Sequence, residues 1–163
     1  MTKIILIIFF LLIPILESCD GGLAPPPESD KAFLNGTIRF VNGKDNWPVK
    51  DSVIAIRAAA FKKMPDLDII LSILNGDAYF TGESLPLFVD SVNFNFEIKD
   101  APIELVYIVA VQQYSADILS QRVIGVYTLS GNKNQASSIM IENGKEYNIT
   151  IDVDFNDLPP MPF

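Results

Sequence analysis

Two stretches of this chain alternate apolar and polar side chains without a break. Val92, Phe94, Phe96 and Ile98 are interleaved with Asn93, Asn95 and Glu97, and Tyr147, Ile149, Ile151, Val153 and Phe155 with Asn148, Thr150, Asp152 and Asp154. A two-residue period puts one set of side chains on each face of an extended strand and wraps them all round a helix, so both stretches are strands with one face on a core and one in water. The chain has to fold as layers of sheet.

The rest of the sequence adds strands of the same kind. Gly36 to Phe40 alternates and runs into the turn pair Asn42-Gly43, and Val53 to Phe61 starts with β-branched residues and continues through small alanines. Glu104 to Gln112 is apolar on both faces, which predicts one central strand covered on both sides. Residues 122–129 make another strand, with Gly125 marking a bulge or a close approach, and Ser137 to Ile141 a short one. Glu142-Asn143-Gly144-Lys145 predicts a hairpin turn into the last strand, Tyr147 to Phe155. One segment breaks the pattern. Leu67, Ile70, Leu71 and Leu74 follow a helical period between Pro65-Asp66 and Asn75-Gly76, which predicts a short helical insert near residues 66–75, with Asp66 and Asp68 suited to its amino end. Seven strands joined by turns predict a mainly β chain, a seven-stranded antiparallel Greek-key sandwich of prealbumin-like or immunoglobulin-like type.

The amino end is different. Residues 4–16 carry no charge, and only Lys3 and the terminal amine precede them. Thirteen helical residues reach roughly 20 Å, against a hydrocarbon core of about 30 Å, so the run suits the apolar part of a signal peptide better than a membrane span. It closes at Leu16-Glu17-Ser18-Cys19, and Cys19 is the only cysteine. These four residues resemble the lipobox of bacterial lipoproteins. The resemblance implies cleavage before Cys19, a diacylglyceryl group on its sulfur, and permanent attachment to a membrane, since two buried acyl chains already suffice for stable anchoring. Residues 1–18 are then the signal peptide. Residues 19–32, rich in Gly and Pro, form a flexible tether, 33–157 the sandwich, and 158–163 a Pro-rich tail that ends strand pairing. The resemblance places the domain in the bacterial cell envelope, in the periplasm or at the surface. An Asp after the lipid-bearing cysteine, as at Asp20, retains some lipoproteins in the inner membrane; sorting differs among lineages, and the outer membrane is preferred here.

A second resemblance lies in Gly36-Thr-Ile-Arg-Phe40, the polar loop that follows, and Pro48-Val49 leading through Asp51-Ser52-Val53 into the next strand. This opening is similar to that of carboxypeptidase regulatory-like domains, and it implies their seven-stranded transthyretin-like sandwich, with Tyr147 to Phe155 as the closing strand.

Composition narrows the chemistry. Without Glu17 and Lys3 the mature chain holds 19 acidic and 11 basic residues, a balance that disfavours nucleic acid and anionic lipid heads. There is no histidine, which removes Ser-His-Asp hydrolysis, Cys-His proteolysis and the common zinc sites. The expected function is a non-catalytic binding or structural module, held at a membrane by its lipid and facing an envelope protein, a peptide or a glycan. The alternative is a small carboxylate-dependent hydrolase of glycosidase type, which needs two acids across a cleft. Asp152, Asp154 and Asp157 are the densest oxygen cluster and the candidate calcium ligands, though their spacing matches no EF-hand; no other cofactor is expected. Trp47 is a candidate contact for a sugar ring or a partner, or else a plug for one end of the sandwich. The insert is more apolar than a helix with one buried face needs, so either it covers the open end of the sandwich or its spare face meets a partner or the membrane, with Ile69 and Ile73 the candidate partner contacts.

Overall fold

The structure, a computed structural model, describes residues 31–65 and 69–161. Among these, nine strands run β1 Ala32–Phe40, β2 Ala55–Phe61, β3 Ala78–Phe80, β4 Ser91–Ile98, β5 Ile103–Leu105, β6 Tyr107–Gln113, β7 Gln121–Val126, β8 Ile139–Ile141 and β9 Glu146–Val153. One α-helix, α1, spans Ile69–Leu74. The chain is mainly β, in several sheets that do not close into a barrel. One sheet has the order β4-β1-β9, a second β3-β2-β6-β7, and β5 and β8 form a two-stranded ribbon.

The alternation explains why the first two sheets face each other. Leu34 and Ile38 of β1, Phe96 and Ile98 of β4, and Ile151 of β9 meet Ile56, Ile108 and Ile124 of the other sheet in one buried cluster. The outer face of the four-stranded sheet is also apolar. There Phe61, Tyr107, Val109 and Val111 are roofed by Ile69 and Ile73 of α1. That double cover is why β6 is buried along its whole length, as the run of apolar residues on both its faces requires.

Two glycines permit the close approaches. Gly36 sits opposite Phe94, whose ring occupies the space a side chain would need: a Cβ there would lie 1.9 Å from the ring. Gly125 lies where β7 crosses the edge of β9; a Cβ would fall 2.8 Å from Ile151 and Val153 and 2.9 Å from the Asp152 carbonyl. The β6–β7 register also shifts beside it, so both the bulge and the close approach expected at Gly125 are present.

Several expectations are corrected. The apolar run Glu104 to Gln112 is not one strand: it breaks at Val106, giving β5 to the ribbon and β6 to the four-stranded sheet. Val106 is half-buried, and Leu105 before it and every residue from Tyr107 to Gln113 are buried, so hydrophobicity carries no mark of the change of sheet. The turn Glu142–Lys145 is a corner and not a hairpin, because β8 pairs with β5 while β9 pairs with β1. Pairing is not wholly antiparallel either: β1 and β9 run parallel from Phe33↔Glu146 to Phe40↔Val153. Alternation sets which face is wet and says nothing of strand direction. The first strand begins at Ala32, and the last ends at Val153. The helix lies over the outer face of a sheet and not across an open end; residues 66–68, including Asp66 and Asp68, lie outside the described residues.

Candidate functional site

Leu16, Glu17, Ser18 and Cys19 lie outside the described residues, as does most of the tether. No described helix is long and apolar enough to cross a membrane.

The three aspartates at the end of β9 line one small depression with Lys133 but do not gather as metal ligands would. Asp152 stands beside Arg39 in the parallel register, and the guanidinium donates to both its oxygens, at 2.7 and 2.8 Å. Asp154 accepts from the Asn46 side-chain amide at 3.0 Å and from the backbone N–H of Asn156 at 2.9 Å. These bonds, with the charge of Lys133, hold its carboxyl below the ordinary value of 3.8. Asp157 is paired with Lys133. Among the described residues no three His, Cys, Asp or Glu side chains gather as a metal site would require. The donor set does not fit calcium, which takes six to eight oxygens; here the carboxylates are taken up by cations and amides of the chain itself.

Trp47 plugs an end of the sandwich. Its ring centroid lies 4.3 Å from that of Phe40, 4.9 Å from Phe88 and 5.2 Å from Phe155, and its indole N–H donates to the Val89 carbonyl at 3.0 Å. The cluster ties together the end of β1, the approach to β4 and the turn after β9. Asn46, beside Trp47, bonds that same turn through Asp154, so the structure does bring these two candidates together, as a structural joint. Ile69 is 3% exposed and Ile73 half-buried, both packed in the outer apolar cluster and both along the wall of a groove beside the helix. The outward apolar residues of α1 are Leu71 and Leu74, at 53% and 77% exposure. That groove, apolar and of about 200 Å³, is lined by Ile69, Ile73 and Leu74 of the helix with Phe80 and Ile118.

The feature missed at the level of sequence is the outer face of β4-β1-β9. The registers line its outward side chains into four rows across three strands: Glu97-Phe33-Glu146, Asn95-Asn35-Asn148, Asn93-Thr37-Thr150 and Ser91-Arg39-Asp152. The two middle rows hold only amides and hydroxyls and line a shallow depression of about 560 Å³. Thr37 donates to the Asn93 side-chain oxygen at 2.9 Å, and the Asn95 amide to that of Asn35 at 2.6 Å. Asn148 and Thr150 spend no side-chain hydrogen bond on another described residue. Each outward residue is visible in its own strand; that they adjoin follows only from the strand order.

A comparison of the chain with protein-family models, with curated proteins and with solved structures finds no match in any of the three.

Proposed function

We propose that this chain is a lipid-anchored protein of the bacterial cell envelope, with a non-catalytic β-sandwich serving as a binding or structural module on a tether. The observation that carries the proposal is the uncharged run 4–16 closing at Leu16-Glu17-Ser18-Cys19, with the one cysteine of the chain at the point where a lipid would be attached. The Gly- and Pro-rich residues that follow suit a spacer of roughly 40 Å between bilayer and domain.

The fold supports the same reading. Set aside the β5–β8 ribbon and seven strands are left, in facing sheets of three and four. That arrangement supports a seven-stranded Greek-key sandwich of the transthyretin-like kind, as in carboxypeptidase regulatory-like domains. The candidate acids are engaged with Arg39, Asn46 and Lys133, which favours a structural role for them over acid–base work across a cleft. What the domain offers to the envelope is a broad polar surface.

The test is metabolic labelling with an alkyne analogue of palmitate in a bacterial host, on wild type and Cys19→Ala. The wild-type chain is expected to take label and to sediment with membranes, and the variant to take none. Equal label in the two would overturn the assignment.

A further inference from the structure

We propose that the outer face of β4-β1-β9 is a binding site for a neutral glycan, with Phe33 as the stacking platform and the amide rows beside it as the hydrogen-bonding floor. The inference rests on the envelope placement above and names the ligand class for that module.

The first observation is compositional. Asparagine is among the residues depleted in strands, where threonine is the enriched polar residue. Four asparagines, Asn35, Asn93, Asn95 and Asn148, nonetheless fall on adjacent positions of two neighbouring rows. Local choices that work against the fold mark sites held for another reason.

The second is electrostatic. The chain carries a net charge of −8, yet the two middle rows have no charged side chain. An anionic polymer gains nothing there and is repelled by the rest of the protein. A protein partner would need a cluster of aromatic or aliphatic anchors of the kind that make up interface hot spots, and the outward side chains of the two middle rows supply none. A neutral polyhydroxylated chain fits both conditions. Each primary amide presents a donor and an acceptor side by side, which matches neighbouring hydroxyls, and the amides of Asn35 and Asn148 and the hydroxyl of Thr150 have capacity to spare.

The third is Phe33. It points outward from β1, half-buried, in the row next to Asn35, and it belongs to neither apolar cluster of the domain. An aromatic face at the end of a polar floor offers the C–H face of a sugar ring a surface to lie on. From Phe33 to Thr37 and across three strands the floor measures roughly 13 by 10 Å, room for a short run of rings.

The test is native affinity electrophoresis of the full chain in neutral detergent, through gels holding glucan, mannan, xylan or glycol chitin, with polygalacturonate as the acidic control. At least one neutral polymer is expected to retard the wild type. Phe33→Ala, which removes the platform, and Asn148→Asp, which changes charge but not shape, are each expected to weaken that retardation about tenfold while melting as the wild type does. Retardation by none of the neutral polymers, by polygalacturonate alone, or with equal strength in all three proteins overturns the proposal. A chain that takes the palmitate label but passes every gel freely overturns the glycan site alone; one that binds a glycan and takes no label overturns the anchor alone.

Discussion

Gly125 shows how one missing side chain decides a packing arrangement. With methyl groups and a carbonyl already within 3 Å of where a Cβ would stand, Gly125→Ala has to push β7 away from β9. A loss of about 1–3 kcal/mol is expected, the usual cost of forcing extra volume into a packed site, read from the midpoint of denaturant unfolding. Asp154 gives a prediction in pH. Its folded carboxyl is held below 3.8 by Asn46, the Asn156 amide and Lys133. A depressed acid contributes stability that is fully present above its unfolded value and lost as pH falls through the folded one. The melting temperature of the wild type should therefore drop on acidification below 3.8, and Asp154→Asn should drop less steeply over the same range. Parallel melting curves for the two would remove Asp154 from the account.

Among the elements, α1 separates inward from outward most sharply. Ile69 is almost wholly buried and Leu74 almost wholly exposed on the same six-residue helix. Ile69→Ala is expected to cost about 2–4 kcal/mol and Leu74→Ala to stay within about 0.5 kcal/mol, by chemical denaturation. The helix itself could be read from the spacing of Leu67, Ile70, Leu71 and Leu74, but its buried side is marked by Ile69 and Ile73, which that spacing does not single out. The two alternating stretches were readable for a different reason: one wet face and one dry face leave a trace at every position. Leu105 to Gln113 left no such trace, and the division at Val106 was hidden by burial on both sides of it. The same limit applies to the polar rows. Asn35, Asn95 and Asn148 are far apart along the chain, and each looks like ordinary solvent-facing filler until the strands are set side by side.

At the scale of the molecule, the proposed anchor and the described body are expected to be separate in energy. Among the described residues the buried clusters begin at Ala32. Cys19→Ala should therefore change where the protein sits and leave its melting temperature unchanged; a variant that melts several degrees lower would tie the amino end into the fold.

The side-by-side parallel course of β1 and β9 adds a mechanical property. A pull applied to the start of β1 and opposed at the far end of β9 slides the two strands past each other along their length. All the rungs from Phe33↔Glu146 to Phe40↔Val153 are then loaded in shear and have to give way together, where a hairpin pulled at its open end would unzip one rung at a time. A body fastened in this way holds its shape under tension.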